Sequence, residues 1–483
     1  MEDGKLAAAR LQVLGPEGVR RIDGAARDIL HRTGVLVPHE EMLRLFAEAG
    51  AAVDRGRGRV RIPPTLVEGC LSQAAKQFTI YGRDRAKQAA FGLGQRNYNS
   101  IAGEAHWVGR QGERRFATLA DVVEAAKLGH VLPRINIVGA MADPHEVEVS
   151  FRCVEVAAAL LATTTKPVTF WFYDRPSARF VVEVFLALAG SVDELRRHPF
   201  AYPLLEPISP LRFAAKGVDL LFETAKVPLP VEVGPMAQAG ISAPVTIAGT
   251  LAQETAEVLA GICVTQLIRP GTPVCFGGIC HAFDMRTTQM IFAGPEQGLM
   301  SVAMTEMGKY YGLPVYINVG LTDSKTVDAQ AGLEIGATLL MGALAGADIF
   351  GHMGIAGVDQ ASSLEMLVWQ NEVIDYVERI MERFALDEET LALDLIDQVG
   401  PGGTFIDQLH TVRHFRREVW MPGLLDRAYW SQWEQAGRPD TARRVCERLD
   451  ELLASYVPEP LATDVERDFQ RILADARKHL PGA

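Results

Sequence analysis

The 483-residue sequence predicts an α/β fold, a (β/α)8 TIM barrel with helical N-terminal and C-terminal extensions. Between about Asn97 and Phe384, eight short β-rich runs alternate with long helix-like runs, the pattern of βα units laid around a parallel sheet. Several helical runs close on glycine just before the next strand, as left-handed helix ends require. Both chain ends carry helical periodicity instead.

Taken in order, "EGVRRIDGAARDILHRTGVLV" and "HEEMLRLFAEAGAAVD" place apolar residues at i, i+3 and i+4, so residues 17 to about 75 read as helices. "FTIYGRDRAKQAAFGLG" then alternates and turns like a short hairpin. The strand candidates are 97–103, 135–141, 167–173, 201–207, 229–235, 273–279, 314–320 and 348–354. An open doubly wound sheet would favour a glycine-rich phosphate turn after its first strand, and "GLGQRN" lacks the third glycine. The expected division is a helical region with a hairpin over 1–95, the barrel over 96–385, and a helical region packed on it over 386–483.

Composition narrows the function classes. With 48% hydrophobic residues the chain can bury a large core, and a net charge of −12 with Lys and Arg dispersed argues against a nucleic-acid partner. No stretch reaches about 18 apolar residues without a charge, which argues against a membrane span. The first thirty residues lack a signal-peptide pattern, and six scattered cysteines suit a reducing compartment, so a cytoplasmic location is expected.

In such barrels chemistry sits where strands end and βα loops begin. The strand ends offer carboxylates, amides, imidazoles and aromatics, among them Asn99, Glu206, Glu232, His281, Asn318, Asp323 and His352, but no dense cationic cluster. Phosphorylated substrates are therefore disfavoured. Aromatic faces beside carboxylates suit a cation, above all a quaternary ammonium that cannot donate hydrogen bonds. "KPVTFWFYDRPS" supplies four aromatics in a row, of which alternation lets only half face inward. Tyr98, Phe172, Tyr173, His281 and Phe350 are the expected substrate-binding residues, and His352, Asp323 and Glu206 the expected catalytic ones. In "DIFGHMG", alternation puts Phe350 and His352 on one face, with His352 nearer the mouth. No metal site is expected: "CFGGICH" splits its thiols between faces, and "HTVRH" lacks a nearby third ligand. Lys325 is the single lysine near a strand end, readable as a Schiff-base former or as a plain surface lysine.

Several blocks carry a resemblance. "AQAGISAPVTIAGTLAQETAEVLAGICVTQLIRPGTPVCFGG", "LTDSKTVDAQAGLE", "GGTFIDQLHTVRHFRREVWMPGLLDRAYWSQWEQAG" and the stretch from "ILHRTGVLVPHEEM" to "FTIYGRD" resemble the trimethylamine methyltransferase superfamily of corrinoid-dependent methyltransferases. Founding members carry pyrrolysine; this sequence shows only standard residues, which implies the branch similar to glycine betaine methyltransferase. The resemblance implies transfer of a methyl group from a betaine-like quaternary amine to the Co(I) of a separate small corrinoid protein docked at the barrel mouth. The chain lacks the Asp-x-His-x-x-Gly motif of cobalamin-binding modules, so no cofactor is expected on it. Two other readings remain open, a betaine-binding barrel without turnover and a metal-dependent barrel hydrolase. Amphipathic faces such as "RVCERLDELLASYV" lead us to expect a homo-oligomer.

Overall fold

The structure is a computed structural model and describes residues 10–110 and 112–480. Eight parallel strands form the centre: β1 (Asn97–Ser100), β2 (Val138–Gly139), β3 (Val168–Thr169), β4 (Leu204–Leu205), β5 (Val231–Val233), β6 (Val274–Gly278), β7 (Val315–Ile317) and β8 (Ile349–Met353). Each expected run supplies one of them. Six pair in the order β4-β5-β6-β7-β8-β1, and β2 pairs with β3. A parallel bridge between Asn99 and Ile137 joins β1 to β2. On the other side the Val168 amide donates to the Phe200 carbonyl at 3.0 Å, which links β3 to the approach of β4 and closes the ring.

Helices follow the strands in turn: α1 (Leu119–Val131), α2 (Val149–Thr163), α3 (Arg175–Ala189), α4 (Ala215–Thr224), α5 (Ile247–Ile268), α6 (Pro295–Tyr310), α7 (Ala329–Ala345) and α8 (Leu364–Met381). They bury their apolar faces against the outward side chains of the sheet. Helix and strand approach closely where the helix carries glycine: a Cβ on Gly261 would lie 2.3 Å from Val233, and one on Gly308 2.4 Å from Val315. Helix α5 is long and apolar enough to pass for a membrane span, yet 83% of its apolar window is buried inside the protein.

The hairpin also forms. Phe78–Tyr81 pairs antiparallel with Gln88–Phe91, and its apolar residues join Ile137, Cys275 and Ile349 in a cluster that plugs the lower end of the barrel. Phe78 stacks on Phe91 at 4.3 Å, and Phe91 meets Tyr202 edge-on at 5.7 Å. The N-terminal helices Gly15–Asp28 and Pro64–Gln73 share a second core with α5. The Glu306 carboxylate accepts the Val13, Leu14 and Gly15 amides, which satisfies the free donors at the start of the first helix.

At the other end, helices Thr441–Ala454 and Thr463–His479 lie on the barrel's outer layer. One expectation is corrected here. The apolar face of "RVCERLDELLASYV" is not free, since Val445, Leu449 and Leu452 are buried in the main core. Between residues 384 and 430 the situation is reversed: Ile406 is 81% exposed, Leu409 60% and Trp430 71%. That arm leaves from the C-terminus of α8, at the end of the barrel opposite the strand C-termini.

Candidate functional site

Alternation along the strands decides what faces the barrel axis. Asn99, Thr169, Glu232, Tyr316 and His352 surround a cavity of about 20 Å³ together with Tyr202 and Trp171. That is room for one water-sized group, which needs about 10–15 Å³. A wider cleft, about 890 Å³, is lined by Arg10, Arg96, Glu306 and Lys309 at the barrel's lower end, remote from the strand C-termini.

Much of the cavity floor is polar and unsatisfied. Asn99 Oδ1, the Tyr202 and Tyr316 hydroxyls and His352 Nδ1 have no hydrogen-bond partner. Tyr202 lies beside the Glu232 carboxyl without a hydrogen bond of good geometry. Burial, with negative Glu206 behind it, pushes the Glu232 carboxyl well above its usual range. His352 is held down to about 3 by burial and by the nearby His281, and His281 to about 4 by burial, so both rings are neutral at physiological pH. Gly351 is required beside them, because a Cβ there would sit 1.6 Å from the Tyr316 hydroxyl oxygen.

Above the floor, loop carboxylates crowd the mouth. Burial, with negative Asp359 and Asp143 nearby, raises Glu104 to about 9, and burial raises Asp359 to about 6 against a hydrogen bond shared with Glu104. Glu206 is open to solvent at the rim yet ringed by protein, and that crowding plus negative Asp359 raises it to about 7. Asp143 is the paired one, accepting from Arg152 Nη1 at 2.8 Å and from the Tyr173 hydroxyl. Several residues here hold left-handed backbone without being glycine: Met141 (φ 56°), His352 (φ 72°), Val358 (φ 62°) and Asp359 (φ 57°). Such conformations cost of order 1–3 kcal/mol each and concentrate at functional sites.

The structure brings some expected residues together and separates others. Glu206 lies at the rim, Tyr173 bonds Asp143, His352 lines the floor, and His281 lies next to His352, stacked on Phe292 at 4.6 Å. Phe172 stacks on Phe170 at 4.9 Å, half-buried between the two main cores. Tyr98 and Phe350 are corrections: both point outward to the helices. The Tyr98 hydroxyl donates to Glu378 Oε1 at 2.5 Å, its ring stacks on Phe350 at 5.0 Å, and Phe350 packs against Gly342 of α7. Phe350 and His352 do not share a face, because a bulge between Phe350 and Met353 shifts the register and turns His352 toward the axis, where it meets Trp171 and Tyr316 edge-on. Asp323 serves the loops, accepting the Phe292 amide at 3.0 Å. Lys325 is exposed and donates to the Asp323 carbonyl at 2.8 Å.

Trp171 was missed as a site residue. The strand ends at Thr169, so "FWFY" is loop and alternation does not govern it; the Trp171 indole donates to the Gly103 carbonyl at 2.7 Å and faces His352. Asn99 and Glu232 were visible as strand-end polar residues, whereas Glu104 and Asp359 sit in loops with no periodic signal.

The family model described as trimethylamine methyltransferase (MTTB) matches residues 5–481. A glycine betaine methyltransferase from Desulfitobacterium hafniense (strain Y51) is 30% identical over 473 residues, covering 98% of each chain. The trimethylamine methyltransferase MttB of Methanosarcina barkeri is also 30% identical, over 99% of this chain and 97% of its own. Among solved structures, the hydroxylamine MtmB complex covers 96% of this chain and 93% of its own at 8% identity, with a TM-score of 0.48. With the family match spanning nearly its whole length, the chain belongs to the trimethylamine methyltransferase family and is a methyltransferase.

Proposed function

We propose that this enzyme moves a methyl group from a quaternary amine to the Co(I) of a separate corrinoid protein. The observation that carries the reading is the mouth itself, where Trp171 lines the floor beneath the acidic Glu206 and Asp359 and Tyr173 bonds Asp143, with no Lys or Arg among the described residues lining the floor. Ring faces and a negative field stabilise a permanent cation. A quaternary ammonium leaves as a neutral amine once it gives up a methyl, so the chain need not activate it covalently. The protein's task is to strip water from the cation and hold one methyl toward the open end. His352 and the aromatic wall position the head group; Glu206 and Asp359 supply the field. The corrinoid, brought by the partner, supplies the nucleophilic cobalt. The glycine betaine relative makes betaines the reference donors in any panel of quaternary amines.

The test is anaerobic: Co(I) corrinoid protein, this enzyme and a panel of quaternary amines, followed by the cobalt absorption spectrum. Amine-dependent methylation of cobalt is expected. Binding without any spectral change would instead favour a barrel that holds its ligand without turnover.

The proposed homo-oligomer now rests on the arm. Its exposed apolar residues lie away from the mouth that the corrinoid protein must reach, and its sequence pairs an acidic half (Asp387, Glu388, Glu389, Asp394, Asp397) with a basic half (Arg413, Arg416, Arg417), a self-complementary arrangement. Light scattering should give a multiple of 52.7 kDa, reduced by Ile406→Glu.

A further inference from the structure

The floor of the cavity says more about the donor than the charge of its head group. We propose that the preferred methyl donor carries an uncharged hydroxyl at its far end, read by Asn99, Tyr202, Glu232 and Tyr316, rather than the carboxylate of a betaine. This rests on the quaternary-amine reading above.

The argument begins with orientation. A methyl offered to a partner at the mouth puts the nitrogen near Trp171, so the rest of the donor points down the barrel axis toward the floor. There it meets the two phenol hydroxyls and the Asn99 oxygen, all unpartnered on residues at most 4% exposed. An unfunctionalised alkyl tail would leave those groups unsatisfied, at about 1–3 kcal/mol each. A polar tail is therefore favoured.

A carboxylate is the wrong polar tail. Among the described residues lining the cavity none is Lys or Arg, and the one buried guanidinium near the mouth, Arg152, is committed to Asp143. A tail carboxylate would be buried among neutral groups, with Glu206 and Asp359 above it and no cation of the protein to pair it. Burying a charge without a counter-charge is strongly unfavourable, and neutral His352 provides none. A hydroxyl has one donor and two lone pairs, so it can give its proton to Asn99 Oδ1 or the Glu232 carboxyl while accepting from Tyr202 or Tyr316. Charge bookkeeping agrees: a hydroxyl-tailed donor keeps a net positive charge for an acidic site, whereas a betaine arrives neutral.

The experiment compares choline, glycine betaine and tetramethylammonium, by calorimetric titration of the enzyme and by initial rates of cobalt methylation. We expect choline to bind, and to react by kcat/KM, about tenfold or more better than either, since sites built to hydrogen-bond a hydroxyl reject analogues lacking it. Glu232→Gln, which keeps the shape, and Tyr316→Phe should each shrink that preference, with circular dichroism confirming the fold. Glycine betaine equal to or better than choline overturns the proposal; so does tetramethylammonium equal to choline, or an unchanged preference in both variants. Choline preference in titration with no methyl reaching cobalt from any donor would uphold the floor's assignment and overturn the transfer reaction instead.

Discussion

Replacing Tyr98 with Phe separates structure from catalysis at a residue that the sequence places at the mouth. Its hydroxyl donates to Glu378, whose carboxylate also takes two bonds from Arg96, Nε at 2.7 Å and Nη2 at 2.5 Å, with the Glu378 side chain 14% exposed. Tyr98→Phe removes one hydrogen bond to a charged group but leaves the ion pair intact, so the expected loss is about 1.5–3 kcal/mol. Arg96→Met strands the carboxylate, and breaking such a buried pair costs about 3–5 kcal/mol. The order of the two losses is thus fixed by geometry. Urea unfolding followed by circular dichroism measures both, and cobalt methylation rates are taken on the same samples. We expect Tyr98→Phe to fall in stability with its kcat/KM unchanged. A tenfold loss of activity at unchanged stability would place the Tyr98 ring at the substrate and refute the outward orientation.

Four further outcomes follow from the same geometry. Trp171→Leu should weaken binding of a quaternary amine by about 0.5–2 kcal/mol, the worth of one cation–π wall, as read by calorimetry. His352→Ala should cost methyl transfer while nearly preserving the melting temperature; retained activity would remove His352 from the site. Gly351→Ala should disrupt the site, and Tyr316→Phe should not rescue it, because the added Cβ lies 2.1 Å from a ring carbon as well as 1.6 Å from the hydroxyl oxygen. The raised Glu206 carboxyl is neutral below about 7 and negative above, so kcat/KM for a cationic donor should rise as pH passes upward through that value, and Glu206→Gln should remove this rise.

The barrel was legible because its signals are local and periodic. All eight strand runs and the hairpin "FTIY…QAAF" show in the chain as short β-rich runs. Side-chain direction was legible only where a strand is regular. Tyr98 and Phe350 share an outward face because β1 and β8 pair in register at those residues, and no sequence feature says which face is inward. His352 turns the other way through a bulge with left-handed backbone at a residue other than glycine, and local sequence gives no sign of that. The same limit hid the mouth acids. Glu104 and Asp359 meet across more than 250 positions in the chain, in loops whose paths are set by packing rather than by pattern.

The most direct test of the central claim follows the methyl group itself. The enzyme is mixed anaerobically with one equivalent of Co(I) corrinoid protein and a donor labelled in its N-methyl groups, and both products are quantified after a single turnover. The account predicts label on cobalt in equal amount to the demethylated tertiary amine, abolished when this chain is omitted. Recovery of the donor intact, with cobalt unlabelled although the donor binds, would contradict it.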